Sequence, residues 1–372
     1  MNNTKAGSYG RLIAFFLVAI ILLCAFGFAV EGWQPQDQTD HGANDSNTGG
    51  TNDDNKPANG DDEGGESEPE KPKIPDYTDS ITGLETDEAT SREKHLCFVM
   101  DSASPLYGIS NAQMLIEIPT EANSTRILAF MKKSAVSGKL GSIAPTRGYI
   151  SNLAKFFGSV LVSYGSDDTK SHSSCDLKGS HFSLSGKDGY SYTEFERYHY
   201  TNSDLLMAGL TNSGINTIVG AANAAPYKFV DFYAPAVSGA MSAKSLSVPF
   251  TPSSTTEFYY SVAQGAYLMS KNSNPQLDSL STEAIKFNNV FVLFTDSVTY
   301  EDEEGSELIM NTIGSGKGVY FTGGTAKNIK WSADPLGNMT FYDESDNQLS
   351  VNRGSVYIGF VKSANASSVK FS

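Results

Sequence analysis

The chain has 372 residues, with 27 Lys and Arg against 42 Asp and Glu and a formal net charge of −15. Its 3 cysteines exclude a disulfide-dense scaffold, a four-thiolate zinc site and a cysteine-held iron–sulfur cluster. The acidic excess argues against a nucleic-acid partner, because affinity for phosphates comes mainly from Lys and Arg.

The charge is unevenly distributed. Residues 1–30 carry Lys5 and Arg11 and no acid, whereas residues 31–75 carry 12 acidic and 3 basic residues. Between them, Leu12 to Val30 is an uncharged run of 19 residues, LIAFFLVAIILLCAFGFAV. As a helix it spans roughly 28 Å, about the thickness of a hydrocarbon core. It reads as a membrane anchor at 12–30. Lys5 and Arg11 on one side and Glu31 on the other keep residues 1–11 cytoplasmic and place the body outside the cell membrane as a single-pass protein. Two alternatives stay open: a signal peptide cleaved near Gly27-Phe28-Ala29, or lipidation at Cys24, where Leu23 occupies a position that favours a small residue. All three export the body. Residues 31–75, rich in Gly, Asn, Asp and Pro, cannot bury enough apolar surface to offset ordering entropy and read as a disordered acidic linker. As a flexible coil its 45 residues reach about 35–40 Å.

Beyond the linker, apolar runs predict short strands at His95–Met100, Gln113–Ile118, Arg126–Met131 and Val160–Tyr164. A helix is expected over 147–158, with Tyr149, Ile150, Leu153 and Phe157 on one face. A second is expected from Asp204 to about Ser213, with Ser203 as N-cap and Gly214 beyond its end. Residues 165–198 read as a long surface excursion. From residue 244 onward, eight strand-like runs separated by turn residues predict a mostly antiparallel β structure. The fold class expected is α+β: a mixed α/β domain over 76–237, then a β-rich domain over 238–372.

The run from Thr82 to Met131, followed by GSIAPTRGYISNLAKFFGSVLVSYG, resembles the YerB-like lipoproteins of Gram-positive bacteria, whose N- and C-terminal domains are of unknown function. Thr82-Gly83-Leu84, Asp101, Glu117, Pro119, Glu121, Thr125-Arg126, Gly141 and Arg147 match the family pattern. In the second half, IGSGKGVYF, Trp331 and TFYDESDNQLSVNRGSVYIGFV match it too. Departures are Ala144 in place of an arginine, Asn123-Ser124 in place of Gly-Gly, and only a partial echo at His199-Tyr200-Thr201-Asn202. The resemblance implies an extracytoplasmic envelope protein, with an envelope protein or cell-wall polymer as its partner.

Arg126 and Arg147 are the candidate anion-binding residues, since guanidinium groups beside a helix start suit a phosphate or carboxylate. Asp101, Glu117 and Glu121 are the acidic candidates. This alternation also resembles the LytR-CpsA-Psr enzymes, which hold a lipid pyrophosphate with arginines and acids. The competing reading is a structural ion-pair cluster that fixes strand register. The sequence therefore supports a binding or scaffold protein, with an enzyme acting on a phosphorylated envelope lipid as the alternative. GSGKG at Gly314–Gly318 fails the phosphate-loop pattern and reads as a hairpin turn, as does EDEEG at 301–305. His172, Cys175, His181 and His199 fit no closed zinc spacing, so neither a metal nor another cofactor is expected. Cys97 and Cys175 lie in the exported body and form a possible disulfide.

Overall fold

The computed structural model describes residues 73–165, 180–184, 189–194, 198–219, 225–303 and 305–372. The expected membrane helix at 12–30, nearly all of the acidic linker, and Cys175 lie outside these. Among the described residues no helix is long and apolar enough to cross a membrane.

The first half contributes β1 (His95–Asp101), β2 (Met114–Pro119), β3 (Thr125–Lys132), β4 (Lys139–Ile143) and β5 (Val160–Tyr164). It also contributes helices α1 (Gly148–Phe156) and α2 (Ser203–Asn212). The second half contributes β6 (Ser245–Thr251), β7 (Ser254–Ser261), β8 (Ala266–Lys271), β9 (Asn289–Thr295), β10 (Gly314–Thr322), β11 (Thr325–Ala333) and β12 (Val356–Lys362). The architecture is β-rich throughout. Among the described residues, the α/β character expected of the first half comes down to α1, α2 and a single turn of helix at Glu88–Ser91 on a β framework.

One large sheet runs in the order β11-β10-β9-β12-β2-β3-β1-β4 and continues through Tyr198–Asn202 to Tyr192–Glu194. Strands from both sides of residue 237 are thus laid into a single sheet, within one compact unit bounded at Lys71–Ser372. The join is β12, which pairs in parallel with β9 on one side and with β2 on the other: Phe291 and Ile116 both register on Ile358. The remaining pairings between these central strands are antiparallel. A second, six-stranded sheet is built on β6, β7 and β8.

The central strands are almost uninterrupted apolar runs because both of their faces are covered. Alternate residues separate into two cores. Leu96, Phe98, Leu115, Ile127 and Ala129 pack with Leu246, Val248, Phe250 and Phe258 of the second sheet. Cys97, Val99, Ile116, Leu128 and Phe130 pack with Tyr149, Ile150 and Leu153 of α1. Cys97 is a free, fully buried thiol in that layer, and burial pushes its pKa up.

Local signals account for most boundaries. The cap of α2 is Asn202, whose Oδ1 accepts from Leu205 N at 3.0 Å, one residue before the expected Ser203. Gly214, with φ 63°, follows its end. Within the expected excursion, His181–Leu184 and Tyr192–Glu194 are strands, and the strand Tyr198–Asn202 begins at its end. GSGKG is not a turn but the start of β10, and the turn falls at Gly323-Gly324. Its glycines are there for space: a Cβ on Gly316 would lie 2.4 Å from Phe294 O and 2.6 Å from Trp331 Nε1. The bare backbone lets the Trp331 indole cross the strand and donate to Phe294 O at 3.1 Å. The strands Ser297–Asp302 and Gly305–Met310, on either side of the expected EDEEG turn, pair antiparallel.

Candidate functional site

The five charged residues singled out in the sequence fall into three groups. Asp101 and Arg126 are direct cross-strand partners on β1 and β3, with Arg126 Nη1 3.4 Å from Asp101 Oδ1. Arg147 caps the start of α1 without using its side chain. The guanidinium turns back to donate to Thr146 O at 2.9 Å and to Glu121 Oε1 at 2.5 Å. Glu121 sits in the tight turn between β2 and β3, where Ala122 and Asn123 have φ of 57° and 56°. That turn is held from the second half of the chain, because Thr251 and Ser253 donate their hydroxyls to Asn123 O at 2.7 and 2.8 Å. The two pairs flank the buried Tyr149, whose hydroxyl donates to Pro119 O at 3.1 Å. Burial, then the Glu121 charge, raises the Tyr149 pKa against the pull of both arginines. Each arginine expected to hold an external anion is therefore neutralised by an acid from the same candidate set, on a partly exposed surface.

Glu117 is elsewhere and fully buried. It projects from β2 toward the second sheet, where its carboxylate forms an ion pair with Lys271 of β8. Three hydroxyls also donate to it at 2.7 Å: Thr125 to Oε1, and Thr256 and Tyr357 to Oε2. Lys271 Nζ also donates to Thr125 Oγ1 at 3.1 Å and lies 5.8 Å from the Phe250 ring centroid. Burial opposes the charge on Glu117, but the Lys271 charge and the hydroxyl bonds outweigh it, and its pKa lies below the usual value. Burial and the neighbouring carboxylate push the Tyr357 phenol well up. The knot joins β2, β3, β7, β8 and β12, and so pins the two sheets together in one register.

A second buried cluster was not anticipated. Asp79 lies in the segment just after the linker, and its Oδ2 is 3.0 Å from His95 Nε2 and 3.5 Å from Lys132 Nζ. Its Oδ1 accepts from Ile81 N, Thr82 N and Thr82 Oγ1 at 3.0, 2.8 and 3.0 Å. Burial opposes ionisation of Asp79, yet the His95 ring, then the Thr82 backbone bond and Lys132, hold its pKa well below the carboxylate range. Burial pushes the His95 pKa down against the pull of Asp79, and Lys132 adds positive charge beside the same carboxylate. The same segment reaches the far end of the chain: Gly354 N donates to Thr82 O at 2.8 Å and Arg353 Nη1 to Gly83 O at 2.5 Å. Gly83 has φ 65°, and a Cβ there would meet the Phe229 ring at 2.6 Å. One sequence signal pointed here. Glu117, His95 and Lys132 each place a polar group on an otherwise apolar strand, and a buried polar group demands a partner.

The other described histidines, His181 and His199, are engaged with hydroxyls. His181 Nε2 is 2.8 Å from Ser163 Oγ, and His199 Nδ1 is 3.0 Å from Thr193 Oγ1, with its ring stacked on Tyr164. Among the described residues no three His, Cys, Asp or Glu side chains converge as a metal would require.

The C-terminal domain of a protein family of unknown function (DUF3048) matches residues 246–358, and the N-terminal domain of the same family matches residues 81–215. The crystal structure of YerB protein from Bacillus subtilis superposes with a TM-score of 0.63 at 18% sequence identity, covering 79% of this chain and 99% of that one. The chain belongs to the YerB-like family. No curated protein matches it. The YerB-like motifs now have physical reasons. Thr82-Gly83-Leu84 is the strap over Asp79, Glu117 is the centre of the inter-sheet knot, and the GSGKG run makes room for Trp331.

Proposed function

We propose that this YerB-like chain is a membrane-anchored, extracytoplasmic binding or scaffold protein of the cell envelope. The observation that carries the scaffold reading is the internal pairing of the candidate charges. Arg126 is matched by Asp101, Arg147 by Glu121, and Glu117 is sealed between the sheets. An enzyme of the lipid-pyrophosphate kind needs an open cation site and an acid or base able to reach its substrate. Here these groups are spent on holding the β2–β3 turn, the start of α1 and the two sheets in place. The uncharged run Leu12–Val30 and the acidic linker support the anchor and its outward orientation.

Two experiments test the reading. Membrane fractionation of the full-length chain should leave it in the pellet after a carbonate wash and release it with detergent. Mature protein beginning near Val30 in the medium would refute the anchor. For the scaffold role, a soluble polyprenyl-pyrophosphate analogue should not bind the wild type measurably. Binding that disappears in Arg147→Ala, with folding retained, would establish the enzyme reading instead.

A further inference from the structure

The hairpin of Ser297–Asp302 and Gly305–Met310 forms a two-stranded sheet of its own, apart from the two large ones. Its inner strand is anchored, with Leu308 and Met310 buried in the layer that contains Tyr149. Its root is tied by Asn311 N, which donates to Asp296 O at 2.9 Å. The outer strand overhangs the body. Val298, Thr299 and Tyr300 are exposed in succession, Val298 at 54% and Tyr300 at 42%, and since successive side chains point to opposite faces, both faces of this strand meet solvent. Among the described residues no further strand pairs with it. Asp302 and Gly305 close a two-residue turn, a pairing possible only as a hydrogen-bonded one, and bonded and non-bonded pairs alternate along an antiparallel ladder. Val298 and Tyr300 therefore bond back to Ile309 and Glu307, while Ser297, Thr299 and Glu301 turn their N–H and C=O groups to the open side. The same stretch is strongly charged: from Asp296 to Met310 there are six acids and no Lys, Arg or His.

We propose that this outer strand is a docking edge for an extended, basic segment of a partner protein. An open edge accepts a strand through main-chain hydrogen bonds, which a peptide backbone supplies at the strand repeat and a polyol does not. Val298 and Tyr300, two apart on one face, offer apolar contact to alternate side chains of the incoming strand. Charge then decides between the occupants. Exposed edges are commonly guarded by charge against self-pairing, and edge-to-edge association of two copies would set the same acids side by side. A segment bearing Lys or Arg turns that guard into attraction, which steers encounter and fixes register. Glu301 and Glu303, both exposed, are placed to meet it. The inference rests on the binding reading above and narrows its partner to an envelope protein rather than a wall polymer.

The test is calorimetric titration of the full-length chain in non-ionic detergent with end-blocked octapeptides that alternate Lys-Val, Glu-Val or Lys-Pro. Lys-Val should bind at a single site and lose about tenfold in affinity from low to high salt. Lys-Pro carries the same charge but cannot donate to a ladder from its prolines, and should bind about tenfold more weakly than Lys-Val. Glu-Val should not bind. Thr299→Pro removes an outward N–H that the hairpin does not use, so it should keep the melting temperature and lose about tenfold in Lys-Val affinity. The double variant Glu301→Lys/Glu303→Lys, at exposed positions, should weaken Lys-Val and admit Glu-Val. No binding of Lys-Val overturns the proposal, as do equal affinity for Lys-Pro, unchanged binding by either variant, or a dimer in sedimentation that Thr299→Pro dissociates. Should Thr299→Pro lower the melting temperature, the charge variant and Lys-Pro decide. If Lys-Val fails while the full-length chain still crosslinks to an envelope protein in cells, the edge assignment falls and the binding reading stands.

Discussion

Replacing Lys271 with Met removes the only cation bonded to Glu117 among the described residues while keeping most of the side chain's volume. Glu117 is 0% exposed and would remain in the same inter-sheet layer with three hydroxyl donors and no countercharge. Breaking a buried pair by removing one partner costs about 3–5 kcal/mol. At about 2 °C per kcal/mol for a unit of this size, the melting temperature should fall by about 6–10 °C. The dependence on pH gives a second handle. In the wild type the Glu117 pKa is depressed, so its stabilisation is present above the usual carboxylate pKa of about 4.3 and is lost as pH falls through the folded value. In Lys271→Met, burial acts without the opposing charge and should raise the pKa, reversing the sign. The deficit should then be largest at pH 7 and shrink toward pH 4, where Glu117 accepts a proton. Urea titrations followed by circular dichroism at both pH values measure this. The double variant Glu117→Gln/Lys271→Met should recover a large part of the loss, because no charge remains buried. If Lys271→Met lies within 1 kcal/mol of wild type at pH 7, or shows the same deficit at pH 4, the buried-pair argument is wrong.

Asp79→Asn should loosen the strap and cost about 2–4 kcal/mol, read as faster limited proteolysis between residues 73 and 92. The wild-type strap should weaken only in acid, because a depressed Asp79 pKa contributes stability above the usual carboxylate value and loses it as pH falls toward the folded value. Gly316→Ala drives a methyl group to 2.4 Å from Phe294 O and should cost about 1–3 kcal/mol in urea unfolding, with a shift in Trp331 fluorescence. Arg147→Ala removes a pair whose side chains are 23% and 25% exposed, and should move stability by no more than about 1 kcal/mol. Asn202→Ala should cost about 1 kcal/mol through loss of the α2 cap.

The sequence made the central strands legible because β1, β2, β3, β9 and β12 are apolar on both faces and bounded by turn residues. It hid β11, TAKNIKWSA, because a strand with one wet face alternates Lys and Asn with its buried positions. It misplaced the hairpin at GSGKG because glycine serves two needs, a turn and a close approach, and only the position of Trp331 tells them apart. Of the candidate residues, the local pairs could be anticipated: Asp101 and Arg126 come together through strand register, and Glu121 and Arg147 through a turn facing a helix start. Glu117 could be recognised as needing a partner, but Lys271, 154 positions away, could not be chosen from the other lysines. That choice depends on how two sheets stack, which no local pattern encodes.

The parallel placement of β12 has a consequence for how the chain is made. Tyr357, whose hydroxyl reaches Glu117, stands 240 positions after it. A chain growing from its N-terminus therefore holds Glu117 without its countercharge until Lys271, 154 positions later, and β2 with an open edge until β12 follows. The order of pairing is written into the topology: hairpins such as β2–β3 and β10–β11 close as they emerge, and the sheet that contains them waits for one of its last strands. A fragment ending at residue 237 would retain its hairpins and α1. It would lack both the strand that closes β2 and the lysine that pairs with Glu117.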